Sequence, residues 1–200
     1  ESRLVSAKER LENEYGIKVL PIVADGADED AIKNVVAKTI ATFGKINTLV
    51  NNAQVSKSGL PLIEHTREDL DLAIHSGLYA AFFYMRECFP YLKESKGSVI
   101  NFASGAGLFG KLGQSSYAAA KEGIRGLSRV AATEWAKDGI GVFVVCPLAW
   151  TAQLEQFEKA YPDAFKANVK MPPAGHFGDS ELEIGRVCVL LASDDAHYVT

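Results

Sequence analysis

Residues 98–147 read SVINFASGAGLFGKLGQSSYAAAKEGIRGLSRVAATEWAKDGIGVFVVCP, and this stretch decides the fold. Val99-Ile100-Asn101-Phe102 is a short apolar run, which predicts a strand. Ser116 to Lys137 keeps helical character until Gly139 stops it. Val142-Phe143-Val144-Val145-Cys146 predicts another strand, closed by Pro147. Strand, helix, strand in this order is the unit of a parallel sheet, because parallel neighbours need a long crossover between them.

Working outward, the same alternation continues. Ile46 to Val50 predicts a strand ending in Asn51-Asn52-Ala53, and Thr66 or Asp69 opens a long helix through Leu92, punctuated at Pro90. Upstream, Asp28 is placed to cap a helix in which Ile32, Val35, Val36 and Ile40 keep helical spacing up to Phe43-Gly44. Lys8 to Tyr15 predicts a short charged helix. Val19 to Ala24 predicts a buried strand, with Pro21 favouring an edge position. Downstream, Leu148 to Ser180 is polar and carries Pro162, Pro172 and Pro173; it predicts a flap with a short helix inside, before a last helix over Glu181 to Ala192. The expected architecture is α/β, a Rossmann-type doubly wound parallel sheet in three αβα layers, forming one domain over residues 1–200 with a substrate-lid segment at 148–180. Ligands of such sheets sit beyond the carboxyl ends of the strands, which directs attention to residues 51–54, 103–107 and 147–151.

Composition narrows the class. The 200 residues are 48% hydrophobic and 23% charged, with 21 Lys and Arg against 25 Asp and Glu for a net charge of −4. With no basic block, the sequence lacks the footprint of a nucleic-acid partner and any attraction to anionic membranes. No apolar run approaches the ~18 residues of a membrane span, and Glu1 to Arg10 is too charged for a signal peptide. Cys88, Cys146 and Cys188 are too few and too scattered for a disulfide framework or a cysteine zinc site. A cytoplasmic protein without a metal is the expectation. His65, His75, His176 and His197 have no ligand spacing either, although His75 and His176 lie where a substrate could reach them.

Chemistry concentrates on one helix. Tyr117 and Lys121 are four apart, so their side chains share a face, and Ser104 stands at the end of the strand before them. A free phenol titrates near pH ~10 and is a poor acid–base group at neutrality; a neighbouring ammonium favours phenolate. Taken alone, Tyr-x-x-x-Lys also fits a surface pair on an alanine-rich helix. The order Asn51-Asn52-Ala53, Ser104, Tyr117-Ala-Ala-Ala-Lys121 and Val145-Cys146-Pro147 is more specific.

That order resembles the short-chain dehydrogenase/reductase family along essentially the whole chain. The resemblance implies an NAD or NADP cofactor and hydride transfer to or from a small-molecule carbonyl or secondary alcohol. It implies Tyr117 as general acid/base, Ser104 as the hydroxyl that orients the carbonyl, and Lys121 as the residue that holds the nicotinamide ribose. Asp25 matches the acidic residue beside adenine, Asn51 and Ala53 the turn near the adenosine ribose, and Pro147 and Thr151 the segment lining nicotinamide. It also implies a homodimer or homotetramer packed through the two long helices. A fold-retaining, non-catalytic scaffold is the alternative, as is use of the cofactor for epimerisation or elimination. Tyr79, Phe82, Phe83 and Tyr84 are expected in the core, and Phe157, Tyr161, Phe165 and Phe177 in the lid.

Four positions depart from the family pattern. Gln54 replaces the glycine after Asn-Asn-Ala, Leu148 the glycine after Pro147, and Gly26 an aliphatic wall of the adenine site. Gly77 stands where many members carry an asparagine that supports a water-linked proton relay to the lysine. Gly105-Ala-Gly107-Leu-Phe-Gly110 formally matches G-x-G-x-x-G, but no helix is expected to open there, so these glycines are expected to form a flexible turn. The family's glycine-rich phosphate loop is absent. The resemblance implies that a βαβ unit of ~30 or more residues precedes Glu1 and that one strand follows Thr200. The strands so lost fall between Val19–Ala24 and Ile46–Val50.

Overall fold

A computed structural model describes residues 2–199. Among them, three strands form one parallel sheet: β1 (Thr48–Asn51), β2 (Ser98–Phe102) and β3 (Gly141–Val145), in the order β1-β2-β3. Val99 pairs with Leu49 and Val142, and Asn101 with Asn51 and Val144. The strand side chains alternate between two helical layers. Val99 packs into a core with Met85, Cys88, Leu92 and Ala131. Ile100 and Phe143 turn the other way, against Cys188, Leu191 and Ala196. The fold is therefore the expected three-layer αβα sheet.

The helices form where local chemistry starts them. In α2 (Glu29–Phe43), the Asp28 carboxylate accepts from the N–H groups of Asp30 and Ala31 at 2.9 and 3.1 Å. Gly44 closes that helix at φ 77°, a left-handed conformation that glycine adopts without strain. Thr66 and Asp69 form a reciprocal capping box at the start of α3 (Arg67–Ala73). The long helix expected from here is not uniform. Ile74–Tyr79 is a wide π-helical turn, and α4 (Ala80–Ser95) follows with Pro90 inside it. Helix α1 covers Ser2–Tyr15 and α6 covers Ser115–Trp135, prolonged by a 3₁₀ turn to Asp138.

Several expectations need correction. Val19–Ala24 joins no ladder among the described residues; the Val19 N–H donates to the Glu12 carboxylate at 3.0 Å, and Val23 is 67% exposed. An apolar run becomes a strand only where a neighbour supplies backbone partners. The Gly105–Gly110 stretch is not a loose turn. Gly105–Phe109 is a short helix, α5, because the Ser104 hydroxyl caps it by accepting from Ala106 N–H at 3.1 Å. The flap holds two helices, α7 (Ala152–Ala160) and α8 (Pro162–Asn168), and the last helix is a π turn over Ser180–Gly185 followed by α9 (Arg186–Leu191). Tyr79 and Phe82 are not core residues: each is more than 40% exposed, and Arg86 lies over the rings of Phe82 and Phe83.

One polar chain crosses the interior. Asn101, fully buried, accepts from Asn51 Nδ2 at 2.8 Å and donates to Ser128 Oγ at 2.8 Å; Ser128 in turn donates to Ile124 O at 2.7 Å. It ties β1, β2 and α6 at the carboxyl end of the sheet. Replacing Asn101 by alanine strands Asn51 and Ser128, and should lower the unfolding free energy by about 2–3 kcal/mol. Urea denaturation checks this; a change below about 0.5 kcal/mol, the level of a neutral surface substitution, contradicts it.

Candidate active site

Because the strands are parallel, their carboxyl ends lie along one edge and bring residues 51–54, 103–104 and 146–147 to the same side. Helix α6 crosses this edge. Lys121 is only 4% exposed, and its Nζ donates to the carbonyl of Phe102, the last residue of β2, at 2.7 Å. The same Nζ lies 5.6 Å from the centre of the Tyr117 ring. Burial pushes the Lys121 ammonium down from its ordinary 10.5 to about 8. It therefore stays predominantly charged at neutral pH while sitting close to its titration range.

Ser104 follows Phe102 by two residues and heads α5, which packs along α6; a Cβ on Gly107 of α5 would lie 2.5 Å from Glu122 Cγ. Sequence reading missed the residue that fixes this junction. Arg125, one turn beyond Lys121, donates to Ser104 O at 3.0 Å and is itself held by Glu122. Lys121 and Arg125 thus grip the carbonyls of Phe102 and Ser104 from successive turns of one helix face. The i, i+4, i+8 run Tyr117, Lys121, Arg125 was the available signal.

A cavity of about 440 Å³ opens beside this edge, bounded by Asp25, Asn51, Ala53, Gln54, Gly77 and Lys121, among others. The structure thus gathers Asp25, Asn51, Ala53 and Lys121 at one cavity. Ser104, Tyr117, Pro147 and Thr151 do not line it. Thr151 instead caps α7, its hydroxyl accepting from Leu154 N–H at 3.2 Å. Within the flap, Trp150 packs on Phe165 and Phe177, and Phe157 on Tyr161 and Phe165, so these aromatics hold one another. Backbone bonds between Trp150 and Gly178 and between Gly178 and Leu148, each 2.9 Å, close the base of the flap. His75 and His176 are both engaged locally, with the Asp71 carbonyl at 2.7 Å and the Glu183 carboxylate at 3.0 Å.

The comparisons agree with this architecture. A family model described as enoyl-(acyl carrier protein) reductase matches residues 2–200. The chain is 63% identical to a 12alpha-hydroxysteroid dehydrogenase from a Clostridium species over 204 residues, covering all of this chain and 79% of the relative. It is 36% identical to the 3-oxoacyl-(acyl-carrier-protein) reductase FabG of Thermotoga maritima over 184 residues, covering 92% and 73% of the two chains. The crystal structure of levodione reductase superposes with a TM-score of 0.88 at 30% identity, over 98% of this chain and 79% of that one. By fold and by these relatives, the protein is a Rossmann-type oxidoreductase. More narrowly, the chain belongs to the short-chain dehydrogenase/reductase family.

The buried ammonium has a consequence for stability. Between about pH 8 and 10.5 the unfolded chain keeps the Lys121 proton while the folded protein releases it. Stability from this group therefore rises with pH across that window. Measured by urea unfolding, the difference between the wild type and Lys121→Met should move in favour of the wild type from pH 8 toward pH 10.5. A difference that stays constant contradicts burial of the charge.

Proposed function

We propose that the protein interconverts a secondary alcohol and a carbonyl on a bulky apolar small molecule, using NAD or NADP. The observation that carries this reading is the convergence of the Lys121 ammonium, the Tyr117 ring and the strand end that leads to Ser104. The cavity fits the nucleoside part of such a cofactor. Its size lies in the usual range for ligand sites, about 300–1,000 Å³, and it offers the Asp25 carboxylate, the Asn51 amide, the Ala53 backbone and the Lys121 ammonium. When bound, the nicotinamide supplies or accepts the hydride.

The chain's own residues do the rest. The Tyr117 hydroxyl passes a proton to the substrate oxygen during reduction and takes it back during oxidation. The Lys121 ammonium offsets negative charge on that phenol oxygen and offers its remaining N–H groups to a ribose hydroxyl. The Ser104 hydroxyl has a proton free to donate to the substrate oxygen, since the contact with Ala106 N–H uses only a lone pair. Arg125 keeps Ser104 in place through its backbone.

Exposed apolar side chains support the substrate class. Gly59 N–H donates to Gly113 O at 2.7 Å, which joins the segment leading into the 3₁₀ turn Leu62–Glu64 to the segment that follows α5, where Phe109 ends the helix and Leu112 lies just beyond it. Leu62, Ile63, Phe109 and Leu112 are at least 76% exposed. Together with the Clostridium relative, they favour a hydroxysteroid or a similarly rigid polycyclic alcohol. The same reading makes the protein a cytoplasmic homodimer or homotetramer, supported by three free cysteines and by exposed apolar residues on the long helices, Phe82 of α4 and Val130 of α6. It also makes residues 1–200 one dinucleotide-binding domain with 148–180 as its substrate lid.

The test is oxidation of a 12α-hydroxysteroid by the full-length protein with each cofactor, followed by nicotinamide absorbance. Turnover is expected with one or both cofactors, and Tyr117→Phe should reduce it by at least about 100-fold while leaving cofactor binding unchanged. Failure to bind either NADH or NADPH overturns the reading.

A further inference from the structure

Two acceptors face one imidazole near the base of the flap. His176 Nε2 lies 3.0 and 3.1 Å from the two carboxylate oxygens of Glu183, and Nδ1 lies 3.3 Å from the carbonyl of Ala174. A carbonyl and a carboxylate only accept, whereas a neutral imidazole carries a single N–H. Both contacts are hydrogen bonds only when the ring carries two protons, so the geometry is that of an imidazolium. Glu183 is ionised to match: the Asp179 N–H, at 2.7 Å, and the His176 ring hold its carboxyl below the ordinary 4.5. The Glu183 carboxylate and the Ala174 carbonyl in turn raise His176 above its ordinary 6.5.

The pair sits where the chain leaves the flap. Phe177, the next residue, is buried and packs on Trp150, which also packs on Phe165 of α8. Gly178 ties both arms of the flap base, accepting from Trp150 N–H and donating to Leu148 O. Ser180 Oγ donates to Trp150 O at 3.1 Å, and the Asp179 carboxylate caps the π turn by accepting from Glu181 and Leu182 N–H at 2.9 and 2.6 Å. Of these contacts, the one between His176 and Glu183 titrates near neutrality. Among the described residues, the charged groups facing the ring are Glu183 and, behind it, Asp179. Glu181 is held by the Tyr15 hydroxyl of α1 at 2.9 Å. Asp163 and Lys166 of α8 and Arg186 of α9 form no ion pair or hydrogen bond with His176 among the described residues, and no other cation there pairs with Glu183.

We propose that His176 and Glu183 form a proton-operated clasp on the substrate flap: the imidazolium holds residues 174–178 to the π turn and keeps Phe177 seated on Trp150, and loss of the proton releases the flap. The proposal rests on the reading of residues 148–180 as the substrate lid. Below the His176 midpoint both contacts are made. Above it, one sets lone pair against lone pair and the other loses its ionic part. The clasp therefore weakens as pH rises through the midpoint, and a lid held less firmly binds its substrate less tightly. Both side chains lie at the surface, so the effect on substrate KM is about two- to fivefold, the scale of an exposed ion pair.

The test follows the histidine ring and Trp150 indole signals by NMR in the full-length protein between pH ~5 and ~9. It compares the wild type with Glu183→Gln, His176→Gln and His176→Arg. In the wild type the His176 midpoint should lie above 6.5, and the Trp150 signal should move with the same midpoint. Glu183→Gln should lower the midpoint by about half a pH unit or more and carry the Trp150 transition with it. Both changes at His176 should abolish that transition, and arginine, whose charge is permanent, should leave Trp150 at its low-pH position. A Trp150 signal indifferent to His176 protonation, or a His176 midpoint that Glu183→Gln leaves in place, overturns the proposal. Kinetics with a 12α-hydroxysteroid tests the link to the lid. The ratio of wild-type to His176→Arg substrate KM cancels other titrating groups, and it should rise from about one to about two- to fivefold across the midpoint. A ratio that stays flat overturns the proposal as well. Should the wild type show no turnover, the functional reading fails on its own, and the NMR titration decides the clasp by the same criteria.

Discussion

An ammonium taken out of water must be given an acceptor, and the site is organised around that requirement. Lys121 is buried beneath α6, and the carbonyl that ends β2 accepts a hydrogen bond from its ammonium. Because the bond runs from a helix to the last residue of a central strand, it fixes the register of α6 on the sheet. Tyr117 and Arg125, one turn to either side, are placed by the same bond. Arg125 then takes the next free carbonyl along the chain, that of Ser104. A single helix face thus determines where a phenol, an amine and a hydroxyl-bearing turn lie relative to one another.

The sheet supports this from below. The buried amide of Asn101 links Asn51 of β1 to Ser128 of α6, so the carboxyl ends of β1 and β2 cannot shift independently of the helix. Hydrogen-bonded side chains in a dry interior stiffen a structure more than apolar packing of equal area, because any displacement leaves a polar group unpaired. Helix α5, short as it is, serves the same end: its cap is the Ser104 hydroxyl, and its close contact with Glu122 depends on the absence of a side chain at Gly107.

Much of this was legible from the residues. The caps at Asp28 and Thr66, the apolar runs of β1, β2 and β3 and the glycines at 44 and 139 announced their elements because each acts within a few residues of chain. The Tyr117–Lys121 spacing announced a shared face for the same reason. Val19–Ala24 has the apolar character of a strand, but a ladder needs backbone partners outside the run. The π turn at Ile74–Tyr79 was hidden because apolar periodicity does not distinguish i+4 from i+5 closure. Gln54 and Gly77 were visible as separate oddities, whereas their contact joins segments distant in sequence. Arg125 was passed over because a basic residue on a helix usually faces solvent.

The bond between Lys121 and Phe102 is the point on which the account turns, and NMR can observe it directly. In protein labelled with ¹⁵N lysine and ¹³C phenylalanine, the Lys121 ammonium protons should be protected from exchange and show a through-hydrogen-bond correlation to the Phe102 carbonyl carbon. A Lys121 ammonium signal that exchanges as fast as those of the surface lysines, with no such correlation, would contradict the account.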